Sequence, residues 1–505
     1  MEQARRDIGR AVEAGAEMIE LRLDALEEPA DLPALISFVG VPIIATCRTV
    51  AEGGLSHADG AERATFLSVA ADAGAKYLDL ELETVTRDKR VLGIVGADRP
   101  GRDPARVILS FHDFQGRPDR LYNVLSDMAE LPADVNKLVW TARTVRDNIE
   151  AFELLLTRLR PTIAICMGES GIISRILAKK FGAFLTFAPL GDESATAPGQ
   201  VTISTLKRLY RWDEINSKTK VYGVVANPVG HSMSPAIHNA AFDAVDHDGV
   251  YLPLLVQSGY ESFTAFMECF VRFEALDLCG LSVTLPHKEN ALRYLTEKGG
   301  QIEPLAQKIG AVNTIRIDPR DRTLAGINTD YAAILDTITQ ALGCQRTDLR
   351  GVKVGVLGAG GTGRTAVAAL AHLGAKVHVF NRTADKAKAL ADEFGAEAMP
   401  WESLSASECG IYINATSLGM SPDTQVSPFG TTPPKLSGET LVFDTIYNPM
   451  KTLLLKQSEQ AGAKVVGGVE MFVHQAAAQF KFWTKITAPV DVMRDILQQR
   501  LSKAN

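Results

Sequence analysis

A glycine-rich turn, GAGGTG (358–363), matches the pattern GxGxxG between a predicted strand and a predicted helix in VGVLGAGGTGRTAV (354–367). Backbone N–H groups of such a turn and the helix N-terminus can hold a pyrophosphate. The next predicted strand ends in VHVFNRT (377–383), where nucleotide-binding units often carry an acidic residue for the ribose 2′-hydroxyl. Arg382 stands there instead, and a guanidinium can bind a 2′-phosphate through two hydrogen bonds. This spacing predicts NADP(H) as the cofactor; the alternative is a solvated charge at a strand end.

The elements that must position such groups are short β-branched runs that alternate with helical stretches, which is typical of α/β architecture. The segments between the first runs mostly have room for one helix, which favours a closed (β/α) barrel, although a standard barrel has eight strands. A second α/β region begins with a predicted strand at 221–227, the glycine-rich unit follows from 352, and a helical tail at 468–504 returns to an earlier layer. Seven strands are predicted in the first 205 residues: 18–24, 42–48, 77–83, 106–112, 136–142, 161–167 and 183–189.

Composition limits the class of protein. A chain of 505 residues predicts two or three domains. The net charge of −7 argues against nucleic acid or an anionic membrane as the main partner. Six scattered cysteines without metal-ligand spacing predict reduced thiols and no metal site. The first residues predict an amphipathic helix rather than a signal peptide, and no apolar run approaches the ~20 residues of a membrane span, so we expect a cytoplasmic protein.

Four motifs in the later part, GAGGTGRTA, NRT, NATSLGM (414–420) and YNPMKTLLL (447–455), resemble shikimate dehydrogenase from about residue 221 to 500. The resemblance implies a substrate-binding lobe and a Rossmann lobe that binds NADP(H). It also implies that the nicotinamide lies beside Gly468. The implied cofactor-binding residues are Gly358, Ala359, Gly360, Gly361, Thr362, Asn381, Arg382, Thr383, Lys386, Thr416, Ser417, Met420, Ile446 and Gly468.

The same resemblance implies a substrate site. The hydroxyls of GHSMSPAIHN (230–239) would alone predict a helix cap, but in the resembled family they hold the carboxylate of shikimate. A lysine in SVTLPHKEN (282–290) and an aspartate in GINTD (326–330) are identified as the proton-transferring pair. Ser282 departs from the asparagine of many members. The implied catalytic residues are Lys288 and Asp330, and the implied substrate-binding residues are Ser232, Ser234, Thr284, Asn313, Tyr447 and Gln475.

The first 205 residues are similar to type I 3-dehydroquinate dehydratase in the motifs ELRLD, TCRTVAEGG, SFHDF, ADVNKL, MGESGIISR and TAPGQ. The resemblance implies that Lys137 forms a Schiff base with a ketone, that His112 moves protons at the adjacent carbon, and that Glu52 orients His112. Thr196 stands where a serine is usual. The implied substrate-holding residues are Glu20, Arg22, Arg48, Arg175, Thr196 and Gln200.

Together the two resemblances imply a bifunctional enzyme of the shikimate pathway, in which dehydroquinate loses water and the product is reduced to shikimate with NADPH. The expected partners are these small molecules, and the oligomeric state stays open. The expected fold is an α/β chain with an N-terminal (β/α)8-type barrel and a two-lobed dehydrogenase unit. The predicted domains are 1–214 (barrel), 221–330 (substrate lobe), 331–467 (Rossmann lobe) and 468–505 (helices returning to the substrate lobe).

One expectation concerns closure of the barrel. The family barrel begins with an apolar strand ahead of the first helix, whereas this sequence starts inside that helix. Seven strands would leave two edges exposed. Either translation begins upstream, or the barrel is open or closed by another element. In the first case we expect a weakened dehydratase half beside an active dehydrogenase half.

The alternative functions are a quinate dehydrogenase and a binding protein that has lost its chemistry. Quinate dehydrogenase shares the fold, but loss of one hydroxyl at 232 or 234 would be needed to make room for the extra group of quinate. A binding protein that had lost its chemistry would not need to retain Lys137, His112, Lys288 and Asp330.

Overall fold

The computed structural model describes residues 2–26, 31–36, 40–96, 104–191, 200–230 and 232–504. Two units are distinguished. The first comprises 1–220 with 254–257 and 265–277, and the second comprises 221–253, 258–264 and 278–505. None of the helices in these described ranges is long and apolar enough to cross a membrane.

In the first unit, parallel strands follow one another across a single sheet in chain order. The third and sixth strands are buried along their whole length, as expected for a parallel sheet that is covered on both faces. The strands are β1 (Ile19–Arg22), β2 (Ile43–Thr46), β3 (Tyr77–Glu81), β4 (Arg106–Asp113), β5 (Val135–Thr141) and β6 (Thr162–Met167). The helices are α1 (Glu2–Glu13), α2 (Leu32–Ile36), α3 (Gly60–Ala73), α4 (Leu82–Arg87), α5 (Arg90–Val95), α6 (Leu121–Ala129), α7 (Asp147–Leu156) and α8 (Ile172–Ile176).

Six of the seven predicted strands are confirmed, and the seventh, at 183–189, is wrong. That segment is irregular, although the backbone N–H of Phe184 donates to the carbonyl of Thr162 on β6 at 2.9 Å. Phe184, Leu185 and Phe187 pack against the apolar core of the sheet. The apolar pattern therefore reflects burial of the side chains, while the backbone lacks a ladder of hydrogen bonds.

The second unit contains a mixed sheet and a parallel sheet. The mixed sheet has the order β10-β12-β11-β9-β7-β8, and its strand β11 runs antiparallel to both neighbours. Its strands are β7 (Lys220–Ala226), β8 (Gly249–Leu255), β9 (Leu278–Val283), β10 (Gln301–Ile302), β11 (Thr314–Ile317) and β12 (Leu324–Ile327). The helices of this part of the chain are α9 (Ser234–Ala244), α10 (Tyr260–Arg272), α11 (Lys288–Glu297) and α12 (Pro304–Ile309), and residues 265–272 of α10 belong to the first unit.

The parallel sheet has the order β15-β14-β13-β16-β17-β18, which is the doubly wound order of dinucleotide-binding folds. Its strands are β13 (Lys353–Leu357), β14 (Lys376–Phe380), β15 (Glu397–Met399), β16 (Ile411–Asn414), β17 (Leu441–Asp444) and β18 (Lys464–Val466). The accompanying helices are α13 (Thr329–Leu342), α14 (Gly361–His372), α15 (Ala384–Phe394), α16 (Leu453–Gln460), α17 (Gly468–Thr484) and α18 (Val490–Ala504).

The predicted helical tail is confirmed as α17 and α18, with a break at Lys485, whose φ is +64°. The indole N–H of Trp483 on α17 donates to the carbonyl of Ile315 on β11 at 3.0 Å. This bond connects the tail to the mixed sheet.

Candidate active sites

In the first unit, one cleft collects side chains from the ends of several strands, where barrel enzymes place their catalytic groups. Every described residue that the sequence predicts for this half lines the cleft, whereas Thr196 lies outside the described residues. The lining residues are Glu20, Arg22, Thr46, Arg48, Glu52, Gly53, His112, Phe114, Lys137, Val139, Ile165, Met167, Arg175, Phe187 and Gln200.

Lys137 on β5 is buried between two carboxylates and an aromatic ring. Its Nζ donates to Oδ2 of Asp79 at 2.9 Å and lies 3.6 Å from Oε1 of Glu20. The same nitrogen is 4.4 Å from the ring centroid of Phe187. The amine is therefore held in one position inside the cleft, as a nucleophile must be.

Asp79 is the site residue that sequence reasoning missed. It also accepts from Nη2 of Arg48 at 2.8 Å and from the hydroxyl of Ser110 at 2.6 Å. Burial alone would raise the pKa of this carboxyl, but the charges of Arg48 and Lys137 outweigh burial and hold the pKa well below its usual range. An aspartate inside the apolar run YLDLELE is the signal that could have found it.

The three arginines of the cleft differ in their partners. Arg22 makes two bonds to Asp24, at 2.9 and 2.6 Å, and Arg48 is bound to Asp79. Arg175 is as buried as Arg48, and its Nη1 donates to the carbonyl of Phe187 at 3.2 Å. Within the described part of the chain, Arg175 has no acidic partner, and burial lowers its pKa to about 10. Arg175 is thus the guanidinium in the cleft whose charge is not balanced by a carboxylate.

His112 on β4 meets Glu52 in a buried pair, with Nδ1 and Oε2 2.8 Å apart. Burial, and then the charges of Arg48 and Lys137, lower the pKa of His112 well below its usual range. Burial also raises the pKa of Glu52 to about 8, against the opposing effect of Arg48. The imidazole is therefore neutral near pH 7, and its Nε2 is the ring nitrogen that Glu52 does not engage.

In the second unit, Lys288 and Asp330 meet with Nζ 2.6 Å from Oδ2. Both lie in the first turn of a helix, α11 and α13 respectively, and the side chain of Asn328 caps α13 by accepting from the N–H of Asp330 at 3.0 Å. The cap of α13 fixes the backbone of Asp330, and the pair remains partly open to solvent. This arrangement can donate a proton from an oriented ammonium.

Asn313 bonds to Thr329, which precedes Asp330, and its own neighbour Val312 bonds to Lys288. Its Oδ1 accepts from the N–H of Thr329 at 2.8 Å, and its Nδ2 donates to the hydroxyl of Thr329 at 3.0 Å. The adjacent N–H of Val312 donates to the carbonyl of Lys288 at 3.1 Å. The structure therefore brings Lys288, Asp330 and Asn313 together.

The other predicted substrate residues lie on separate elements. The N–H of Ser234 donates to the hydroxyl of Ser232 at 3.3 Å at the start of α9, and Thr284 follows β9. The Tyr447 ring lies 5.1 Å from that of Phe472, whose carbonyl accepts from Nε2 of Gln475 at 3.0 Å.

The glycine turn has the geometry that a dinucleotide needs. Gly358 has φ +107°, and a Cβ there would lie 2.9 Å from the carbonyl oxygen of Ala415. A Cβ on Gly363 would lie 2.0 Å from the carbonyl oxygen of Gly358, so the turn is tight. Gly360 and Gly361 instead have no atom within 4 Å of an added Cβ, and no side chain caps α14. Open space before free helix N–H groups suits a pyrophosphate.

The end of β14 adjoins this turn, because Oδ1 of Asn381 accepts from the N–H of Ala359 at 3.1 Å. Arg382 and Lys386 are exposed there, with Thr383 at the N-cap of α15. Within the described residues, Arg382 has no acidic partner. The guanidinium is therefore available to a 2′-phosphate, and these residues fit NADP(H).

The remaining predicted cofactor residues follow β16 and β17, where the buried carboxylate of Asp444 joins the ends of the two strands. Asp444 accepts from Asn414 Nδ2 at 3.0 Å and from the N–H of Ile446 at 3.1 Å. Asn414 in turn accepts from the hydroxyl of Thr416 at 2.7 Å. Ser417 and Met420 continue that loop at the surface. The N–H of Gly468 donates to the carbonyl of Ile446 at 3.1 Å.

Arg364 links the glycine turn to the mixed-sheet lobe. It lies in the first turn of α14, and its Nε donates to the carbonyl of Ile309 at the end of α12 at 2.6 Å. Its two terminal nitrogens bind both oxygens of Glu393 on α15. The cofactor helix and the segment that leads to Asn313 are therefore joined by one guanidinium.

Four family models match the chain: type I 3-dehydroquinase over residues 1–217, the shikimate dehydrogenase substrate binding domain over 224–315, shikimate/quinate 5-dehydrogenase over 341–420 and the shikimate 5′-dehydrogenase C-terminal domain over 468–498. A chloroplastic bifunctional 3-dehydroquinate dehydratase/shikimate dehydrogenase from Arabidopsis thaliana is 36% identical over 98% of this chain and 82% of its own length. The chain belongs to this bifunctional family.

Relatives of the dehydrogenase half alone are also found. A shikimate dehydrogenase (NADP(+)) from Methanosarcina acetivorans is 37% identical over 56% of this chain and 99% of its own length. A crystal structure of shikimate dehydrogenase in complex with NADP⁺ is 33% identical, covers 57% of this chain and 97% of its own, and has a TM-score of 0.51. The dehydrogenase half therefore corresponds to an independently occurring enzyme.

We predict that the dehydration rate rises as the pH is raised through about 8. An ionised Glu52 accepts from Nδ1–H of His112 and leaves Nε2 as a base, whereas a protonated Glu52 donates to Nδ1 and moves the ring proton to Nε2. A plot of the kcat of dehydration against pH from 6 to 9.5 should show this rise as a limb near pH 8, and the limb should be absent in Glu52→Gln. A limb of unchanged position in Glu52→Gln would assign it to another group.

Proposed function

We propose that the chain dehydrates 3-dehydroquinate to 3-dehydroshikimate through a Schiff base on Lys137 and then reduces 3-dehydroshikimate to shikimate with NADPH. One observation carries the proposal: the described residues contain two separate lysine sites, each with the partner that its chemistry needs. Lys137 lies in a cleft with the neutral imidazole of His112, and Lys288 is bound by Asp330 in the unit that holds the glycine turn.

In the dehydratase half, the amine of Lys137 attacks the ketone carbon and water leaves, which gives an imine. This imine, protonated on its nitrogen, acidifies the adjacent carbon, from which His112 removes a proton to give a neutral enamine. The protonated His112 then gives its proton to the departing hydroxyl group, so a second water leaves and a conjugated imine remains. Hydrolysis of this imine releases the product and restores Lys137. Glu52 keeps the ring of His112 oriented throughout.

Arg175 is assigned to the carboxylate of the substrate. Arg22 and Arg48 already have carboxylate partners, whereas Arg175 is buried without one. A buried cation is costly unless it is paired, and a substrate carboxylate removes that cost with two parallel hydrogen bonds. This charge complementarity explains why an acidic substrate would enter a cleft that contains several carboxylates.

In the dehydrogenase half, a bound NADPH supplies the hydride. Lys288 gives a proton to the oxygen of the ketone as that oxygen gains charge, and Asp330 keeps the ammonium directed at it. Ser232 and Ser234 hold the substrate carboxylate, and Thr284, Asn313, Tyr447 and Gln475 position the ring. The glycine turn and Arg382 bind the pyrophosphate and the 2′-phosphate.

The cellular setting remains a prediction. We propose a cytoplasmic location on the basis of the six scattered cysteines, none of which forms a disulfide in the structure. The proposed ligands are small molecules, and neither nucleic acid nor a membrane surface is expected as a partner of a chain with a net charge of −7.

Borohydride should trap substrate or product covalently on Lys137, because reduction of the imine makes the bond permanent. Mass spectrometry of the digested full chain should find the adduct on the peptide that contains Lys137, and Lys137→Met should remain unlabelled. An adduct on another lysine, or none in an active enzyme, would contradict the Schiff-base role.

Replacement of Lys288 by Met should lower the kcat of shikimate oxidation by about a hundredfold or more with little change in KM, since proton donation matters chiefly in the transition state. Lys308→Met, which changes an exposed lysine on α12, is the matched control. The dehydration rate of the same chain reports its integrity. A rise in KM at constant kcat would make Lys288 a binding residue.

NADPH should be preferred over NADH by well over tenfold, because Arg382 contributes on the order of 1–3 kcal/mol through charge-assisted bonds to the 2′-phosphate. Arg382→Ala should remove most of this preference in kcat/KM, while Arg350→Ala, a change of an exposed arginine ahead of β13, should retain it. Equal kcat/KM values for the two cofactors in the parent chain would mean that Arg382 faces solvent.

A further inference from the structure

Arg63 on α3 is a buried arginine that does not line the dehydratase cleft. Its Nη1 donates to the carbonyl of Cys47 at 3.2 Å and also binds Oε2 of Glu81, and its Nη2 donates to the hydroxyl of Thr84 at 2.5 Å. These partners lie just after β2, at the end of β3 and on α4. One guanidinium therefore ties three elements together beneath the cleft.

Glu81 extends this contact towards the cleft. Its Oε1 accepts from the backbone N–H of Thr49 at 3.2 Å and lies 3.4 Å from Nη1 of Arg48. The hydroxyl of Thr49 then accepts from the N–H of Glu52 at 3.3 Å and caps the helical turn at 50–52. An unbroken series of contacts thus runs from Arg63 to the backbone of Glu52, whose carboxylate meets His112.

We propose that Arg63 and Glu81 are positioning residues for the dehydratase reaction, which hold the segment 47–52 so that Glu52 meets Nδ1 of His112. The inference rests on the proposed dehydratase function. Neither side chain lines the cleft, so both act through Thr49 and Glu52. The segment follows β2 and ends in the short helical turn at 50–52. A displacement of ~1 Å at a catalytic group can cost about a hundredfold in rate.

Glu81 has a second effect on Glu52 through its charge. The charged groups that act on Glu52 are Arg48, Asp79, Glu81 and Glu83, besides the imidazole of His112. After burial and Arg48, the negative charge of Glu81 is the next influence on the pKa of Glu52, which it raises. Removal of that charge should therefore move the rising pH limb of dehydration to lower pH.

Two variants of the full chain separate position from charge. Arg63→Lys keeps the charge, but a single ammonium cannot reach the three partners of the planar guanidinium. The plateau kcat of dehydration should therefore fall at least tenfold, while the midpoint of the rising pH limb stays unchanged. Glu81→Gln keeps an acceptor for Thr49 and removes the charge, so the limb should move down by ~0.5 pH unit or more. Arg90→Lys, a change of an exposed arginine on α5, is the matched control and should alter neither quantity.

NADPH-dependent turnover and the thermal midpoint of each variant report whether the chain is intact. The inference is overturned if both variants keep the parent plateau and limb, or if they lower only the thermal midpoint. Should Arg63→Lys fail to fold, the limb of Glu81→Gln decides alone. A parent chain without dehydratase activity would instead overturn the proposed function, and this inference with it.

Discussion

The dehydratase cleft depends on the balance of charge around Asp79. A fully buried carboxylate there binds the ammonium of Lys137 and the guanidinium of Arg48, and each of these cations would be costly in that position alone. Asp79, together with the nearby carboxylates of Glu20 and Glu81, neutralises these two cations. The cleft can therefore hold Lys137 at a fixed place beside the neutral imidazole of His112. Arg175 is left as the cation without an acidic partner among the described residues, which makes the cleft complementary to a carboxylate.

The second unit relies more on backbone geometry than on buried charge. The tight approach of Gly363 to Gly358 brings the first turn of α14 close to β13, and the space before Gly360 and Gly361 stays open. Lys288 and Asp330 are partly exposed, so their pairing needs little compensation from other charges. In the proposed reactions the two lysines act differently: Lys137 attacks a carbon atom, whereas Lys288 gives up a proton.

The sequence predicted the positions of the strands better than it predicted which side chains contact one another. Alternating apolar runs located six strands of the first sheet, and the spacing of the glycines to Arg382 located the nucleotide-binding turn. The run at 183–189 failed because its burial comes from side-chain packing, which leaves the same pattern as a strand. Asp79 was missed as a site residue and Glu81 as a residue behind the site, since periodicity shows that a strand is buried but not which carboxylates are paired inside it. Such pairing depends on contacts between residues distant in sequence.

The bridge that Arg364 makes between α14 and α12 bears on how hydride and proton arrive together. From Ile309, which accepts its Nε–H, the chain runs only three residues to Val312, whose N–H is bonded to the carbonyl of Lys288. The first turn of α14 and Lys288 are therefore connected through one short, hydrogen-bonded segment. In the proposed reaction, a displacement of α14 relative to this segment would change the positions of the hydride donor and the proton donor together, so the alignment of both depends on the contact between the two lobes.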